Sequence, residues 1–373
     1  MRYRLHFPAA LAAVCLLTAG PAWADDHPHN MGDEHQHEMG NLEVFLSVQG
    51  VGHQGGDFQS SRREDSWGIA DIIFAANRGR WRTMGEFNLG QNEHDLERFS
   101  VGWEPVPDTL LWFGRFHQPG SAWNNEFHHG HYLQTTITRP SIELWEDEEG
   151  LVPQHLSGAL LESRRPLGAV AGLQFSVGLG YGSNLTTEGL NPVDLLNINH
   201  GSHRLSETAR ISFLPQYLGS SSMGLLFGHH RTPVLDTASG VTLNAQIIDQ
   251  QVSGGYLDFD RESWRAVTAI YYVAIDLEGA TSERREHFAS GYLQVERQLP
   301  HHLTGFARHE NSSDAMSSLY VSIHADDFVA HGNLVGLRWD FAHRQALTIE
   351  LSRLSTIHAF QSVARIQWSG VVP

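Results

Sequence analysis

The sequence predicts an all-β fold, a transmembrane antiparallel β-barrel of about sixteen strands, and three observations carry that reading. Segments of about ten residues alternate apolar and polar side chains, the period of a sheet with one face in lipid and the other wet. Their connections alternate between short ones, such as Asn77-Arg78-Gly79-Arg80, 104–108, 164–168, 298–302 and 342–345, and long polar ones, such as 52–65, 118–155, 183–205, 276–287 and 311–327. No segment, the N-terminal run included, is apolar over the roughly 20 residues that a membrane-crossing helix needs, so a membrane-resident chain must close a sheet on itself.

The N-terminus reads as an export signal. Arg2 and Arg4 precede an apolar run from Phe7 to Ala19, and Ala22-Trp23-Ala24 has the small-x-small pattern that a signal peptidase cuts. The expected division is a signal peptide over 1–24, a His- and acid-rich disordered periplasmic tail over 25–40, and a barrel over 41–373. Cys15, the one cysteine, leaves with the signal, so the mature chain has no disulfide or thiolate chemistry. The formal charge is -17 and every one of the 25 basic residues is arginine. That excludes a nucleic-acid partner, which needs a dense cationic surface. Arginine without lysine suits a pore wall, because its planar fork holds oxyanions bidentately and stays charged.

Taken in order, the strands fall near 42–51, 66–76, 81–90, 96–104, 109–117, 156–163, 169–182, 206–214, 221–230, 249–259, 264–275, 288–297, 303–310, 328–341, 346–354 and 361–369. In the clearest one, Ala171, Leu173, Phe175, Val177, Leu179 and Tyr181 share one side, while Gly172, Gln174, Ser176, Gly178 and Gly180 share the other. Over 81–89 the outer set is Trp81, Thr83, Phe87 and Leu89, and the inner set is Arg82, Met84, Glu86 and Asn88. Near the C-terminus Ala364, Ile366 and Trp368 alternate with Arg365 and Gln367. The region 232–262 leaves Val241 to Ile248 open as strand or loop, which would make the count fourteen or eighteen. Trp81, Trp103, Tyr181, Trp264, Trp339 and Trp368 stand at strand ends, where amphipathic rings form interfacial girdles.

An even strand count with a periplasmic N-terminus puts the long connections outside. Residues 118–155 then form the third outer loop, expected to fold inward as a constriction. Its first part carries Trp123, Asn124, Glu126, His128, His129 and His131. Its second part carries Arg139, the acidic run Glu143, Glu146, Asp147, Glu148 and Glu149, and His155. Alternation assigns Arg82, Glu86, Arg98, Arg115, His117, Arg210, Arg338, Asp340 and Arg365 to the channel lining. Acidic loop facing basic wall would set up a transverse field across the gap.

The residues Phe113-Gly114-Arg115-Phe116-His117-Gln118-Pro119, Trp123-Asn124, Phe127-His128-His129-Gly130, Leu133-Gln134-Thr135, Arg139-Pro140, Glu146-Asp147-Glu148 and Pro153-Gln154-His155 resemble a largely uncharacterised porin-like family of Gram-negative outer-membrane proteins. The tail from Gln367-Trp368-Ser369 to Pro373 is similar too. The resemblance implies a barrel whose third loop enters the lumen. Phosphate-selective porins resemble the chain in architecture, but their lysine-based anion path has no counterpart here.

Histidine is overused, with 24 copies. His27, His29, His35 and His37 lie among acids and methionines in the tail, a composition that binds zinc, copper or nickel. His129 and His131 would project to one side of an extended backbone, close enough to share such an ion. Three functions follow. The first is a passive channel for small hydrophilic solutes or ions, set in outer-membrane lipid and linked to transition metals through the histidines. The second is a non-conducting surface protein, and the third a hydrolase with a Ser-His-Asn type site on the lipid face. No Gly-x-Ser-x-Gly motif occurs, and the leading reading is not an enzyme. Assembly as a homotrimer is left open by the sequence.

Overall fold

A computed structural model describes residues 41–372 except 55–65, 91–93, 122, 125–126, 128–131, 147–149, 188, 196–200, 236–244, 280–283, 326–327 and 357–358. Sixteen strands close one antiparallel barrel. They are β1 (Asn41–Gln54), β2 (Ser66–Arg78), β3 (Trp81–Leu89), β4 (His94–Val106), β5 (Thr109–His117), β6 (His155–Leu167), β7 (Ala171–Tyr181), β10 (Leu205–Leu214), β11 (Ser222–Pro233), β12 (Ile247–Arg261), β13 (Trp264–Glu278), β14 (Arg284–Leu299), β15 (Leu303–Ser313), β16 (Val329–Ala342), β17 (Gln345–Thr356) and β18 (Phe360–Val372). A small hairpin, β8 (Asn184–Thr186) with β9 (Gly189–Asn191), lies in the fourth long connection. One short helix, α1 (Leu319–His324), lies in the seventh, capped by the Ser318 hydroxyl.

Each strand pairs with its sequence neighbour, and β1 closes on β18 with Gln49 opposite Gln367, so no edge is left unpaired. All sixteen predicted strands are present. In the open region, β11 ends at Pro233 and β12 begins at Ile247, so Ile247 and Ile248 are strand, while 241–244 lie outside the described residues.

The short connections are tight because their residues adopt left-handed backbone. Gly79 and Gly168 do so, as do Asp108, Glu262, Arg344 and the adjacent His301 and His302, with φ of 64° and 58°. Two successive left-handed residues make the turn that matches strand twist, which gives His301 and His302 a structural role.

The outer face is apolar, as the alternation predicts. Phe175, Val177, Leu179, Ile211, Leu225, Ile270, Val335 and Ile349 are exposed. Trp81 opposes Trp103 across β3 and β4, and Trp264, Trp339 and Tyr181 are likewise exposed at strand ends.

The inner face divides into two sectors. Around β1 to β4 and β15 to β18 it is polar, with Ser47, Gln49, Asp71, Glu86, Arg98, Arg308, Glu310, Thr348, Glu350, Arg365 and Gln367. Around β11 to β14 it is apolar, with Leu226, Val252, Tyr256, Val267, Ala269, Tyr271, Val273, Ile275, Phe288 and Tyr292. This corrects the expectation of hydrated residues around the whole lumen. β13 is apolar on both faces because both are covered, one by lipid and one by protein. The inner sector of β11 to β14 forms one buried cluster with Trp123, Phe127, Ile142, Leu151 and Val152 of the third loop, Leu185 and Leu190 of the fourth, and Tyr320, Val321 and Phe328 of the seventh.

Candidate functional site: the third loop and the wall that holds it

The described part of 118–154 runs through the barrel and is fastened on several sides by inward-facing side chains. From β17, one oxygen of Glu350 accepts the amides of Ile137 and Thr138 at 3.0 and 3.3 Å, and the other accepts the Thr138 hydroxyl at 2.8 Å. From β15, Glu310 accepts the Ser141 amide at 2.8 Å, and Arg308 donates to the carbonyls of Thr138 and Arg139 at 2.7 and 3.0 Å. Glu296 of β14 accepts the Thr135 hydroxyl at 2.8 Å. Arg338 of β16 donates to the carbonyls of Tyr132 and Gln134 at 2.6 and 2.5 Å. Loop backbone removed from water needs such partners, and these wall groups supply them.

On the β13–β14 side a further attachment is a buried carboxylate of the loop itself. Oε1 of Glu143 accepts hydroxyls from Ser121 at 2.5 Å, Tyr271 at 2.6 Å and Tyr292 at 3.2 Å. Burial nevertheless raises the Glu143 carboxyl above its usual range, against the pull of these donors and of Arg139. Glu146 behaves in the opposite way. Burial pushes it up, but the attraction of His155 and its hydrogen bonds outweigh that and hold it at about 2. Its oxygens accept the amides of Gln154 and His155 at 2.6 and 2.9 Å, and contact His155 Nδ1 at 2.8 Å.

Between these two glutamates, Arg139 donates to the Glu143 carbonyl and the Asn124 side chain at 3.1 Å each. Its guanidinium also lies over the Trp145 ring at 4.0 Å, a cation–π contact. Asn124 bonds Gln154, and Trp123 is fully buried with its ring edge on Phe127.

The predicted arginines lie on the wall with immediate partners, and Asp147, Glu148 and Glu149 of the acidic run they were expected to face lie outside the described residues. Arg98 pairs with Glu86 at 2.9 Å, Arg82 with Glu104 at 2.7 Å, Arg338 with Asp340 at 2.8 Å and Arg365 with Glu350 at 3.5 Å. Arg210 donates to the Gly120 carbonyl at 3.3 Å and the Ser176 hydroxyl at 3.5 Å. Charges removed from water are stabilised chiefly by such immediate partners.

Arg115 and His117, expected in the lining, meet His155, expected in the third loop, where β5 and β6 end. By register Arg115 lies opposite Phe99 and Ser157, on the side of Phe113, which is 52% exposed, yet Arg115 is 2% exposed. Gly114 between them has φ of 135°, and a Cβ there would lie 2.2 Å from the Phe99 carbonyl oxygen, so only glycine permits this turn of the strand. Beyond it Arg115 donates to the Val193 carbonyl and approaches Glu97 at 4.0 Å. His117 and His155 pack on Trp145, with ring centroids 4.8 and 5.5 Å away. Arg115 and His155 both lie near Glu97 and the two histidine rings meet at 4.7 Å, so the three side chains form one cluster.

Glu126, His128, His129, His131, Asp147, Glu148 and Glu149 lie outside the described residues, as do His27, His29, His35 and His37. Among the described residues no three His, Cys, Asp or Glu side chains are placed to hold a metal ion. The residues that sequence reasoning missed are the fastening groups Arg308, Glu310, Glu296, Glu350, Tyr271 and Tyr292. Their one signal was polarity on the inner parity of the last strands.

No family model matches the sequence, and no curated protein matches it. The architecture is the sixteen-strand barrel of bacterial outer-membrane porins. The outer membrane channel DcaP of Acinetobacter baumannii is similar over 89% of this chain and 97% of its own, at 10% identity and a TM-score of 0.53. An anion-selective porin from Comamonas acidovorans is similar over 90% of this chain and 99% of its own, at 10% identity and 0.56. The trimer form of OmpT from Vibrio cholerae is similar over 90% and 99%, at 8% identity and 0.52.

Proposed function

We propose that the chain is an outer-membrane channel of the porin type, passing small hydrophilic solutes or ions by diffusion. The observation that carries the proposal is a closed barrel, apolar outside, whose third connection is held inside it by Glu296, Glu310, Glu350 and Arg338. A loop fixed in the lumen narrows it, and the polar sector around β1 to β4 and β15 to β18 is the wall that a hydrated solute would follow. The porin fold of its structural neighbours and the N-terminal signal pattern support outer-membrane placement, and the trimeric form of OmpT supports assembly in threes. Transition-metal capture by His27, His29, His35 and His37 at the inner mouth belongs to the same proposal.

One observation favours a second reading, a non-conducting surface protein. The apolar inner sector packs against the third, fourth and seventh connections and takes up lumen cross-section. Purified mature protein in planar bilayers separates the two. The channel gives discrete current steps, and zinc or copper alters them only while the tail is present. Absence of steps favours the surface protein, and a mature N-terminus elsewhere than near Asp25 removes the export argument.

A further inference from the structure

We propose that the outer face of β15 to β17, at the end of the wall that carries the long connections, binds the phosphate headgroup of a membrane lipid. The proposal rests on the outer-membrane placement in the channel reading, which puts that end of the strands beside the outer leaflet.

The cross-strand register divides this face. Ala307, Val335 and Leu351 lie opposite one another and form the last apolar row. The next row outward is His309, Asn333 and Arg353, and the one after it is Asn311, His331 and Ser355. All of these except Ser355 are exposed. Adjacent strands lie about 4.8 Å apart, so the three side chains of one row can reach a single group.

Arg353 supplies the observation that points to an anion. Its guanidinium lies 4.6 Å from the centre of the exposed Phe360 ring, a cation–π contact, and among the described residues it pairs with no carboxylate. Arg231 and Arg285, at the same end of β11 and β14, are by contrast paired, Arg231 with Asp249 at 3.3 Å and Glu278 at 2.8 Å, and Arg285 with Asp276 at 2.9 Å. No aspartate or glutamate stands on the outward parity of β15 to β18, so Arg353 has no neighbour of opposite sign on that face. A guanidinium in that setting can hold a phosphate through two parallel N–H donors.

The flanking side chains are donors as well. His309 Nδ1 donates to Asn333 Oδ1 at 2.9 Å, and His331 Nδ1 donates to Asn311 Oδ1. Each asparagine spends its oxygen in this way and keeps its amide N–H groups, while protonation of either imidazole adds a donor at Nε2. The border position selects the source of the phosphate. Acyl chains pack on Val335, Leu351 and the exposed Ile349 below them, and the headgroup that they carry reaches Arg353.

The test titrates the full mature protein, in an uncharged detergent, with phosphatidic acid, with the matching diacylglycerol and with inorganic phosphate, and counts bound lipid by native mass spectrometry. The wild type is expected to retain phosphatidic acid and neither of the others. Arg353→Ala is expected to weaken retention by about 10-fold, the loss of charge-assisted hydrogen bonds. Arg353→Lys falls between the two, because the charge stays and the fork is lost. Equal retention of diacylglycerol, or equal affinity in Arg353→Ala, overturns the proposal. Displacement of the lipid by inorganic phosphate at the same concentration overturns it too and makes the patch a free-anion site. Copies that separate in Arg353→Ala while lipid binding is unchanged also overturn it and make the face a contact between copies. Arg353 stands outside the lumen, so silent bilayers with lipid binding intact would sink the channel reading alone. Heat-modifiable gel migration checks that each variant is folded.

Discussion

Glu143 and Glu146 lie three positions apart in one acidic run, and their surroundings give them opposite behaviour. Glu143 is raised by burial, so the fold favours its protonated form. Its contribution is complete at acid pH and is lost as pH rises through that elevated value. Glu146 is held at about 2, against an ordinary 4.5, so its contribution is present above 4.5 and lost only as pH falls towards 2. The predicted outcome is that Glu143→Gln leaves the loop seated at neutral pH, because the amide oxygen still accepts the hydroxyls. Glu143→Leu leaves Ser121, Tyr271 and Tyr292 without their acceptor and costs about 1–3 kcal/mol for the orphaned groups. Denaturation followed by tryptophan fluorescence at pH 5 and pH 9 measures this, and equal loss in both variants would remove Glu143 as the attachment. The acidic run itself was legible in the sequence. Its division into two differently held carboxylates was not, because Tyr271 and Tyr292, which donate to Glu143, come from strands far along the chain.

At the scale of elements, the sixteen strands were legible because period-two hydrophobicity and left-handed turn residues are both local signals. The inward third loop was legible from composition, since tryptophans and amides are out of place in an exposed connection. Two features were not legible. One is the second apolar face of β13, which Ala269, Tyr271 and Val273 mark and only the packing of the distant loops explains. Gly114, Gly158 and Gly180 looked like dispersed glycines, whereas they lie opposite one another across β5, β6 and β7. At Gly158 a Cβ would fall 2.2 Å from the Leu179 carbonyl oxygen. Gly158→Val is therefore predicted to destabilise the β6–β7 pairing by about 1–3 kcal/mol, the usual cost of overpacking. Heat-modifiable migration measured against temperature gives the shift, and an unchanged transition would show that the glycine row carries no packing constraint.

For the whole molecule, the cylinder is apolar outside and its inner face is divided between an apolar sector packed with loops and a polar sector. The fastening is distributed, with Glu350, Glu310, Arg308 and Arg338 on one side and Glu143 on the other. Charge pairing along the wall means that current through the barrel should depend more on loop position than on any single arginine. Single-channel conductance tests this most directly, comparing the wild type with the double variant Glu310→Ala, Glu350→Ala, which removes the acceptors for Ser141, Ile137 and Thr138. The account predicts discrete steps in the wild type and larger, noisier steps in the variant as the released loop opens the lumen. Silent bilayers for both proteins, or identical steps from both, would contradict it.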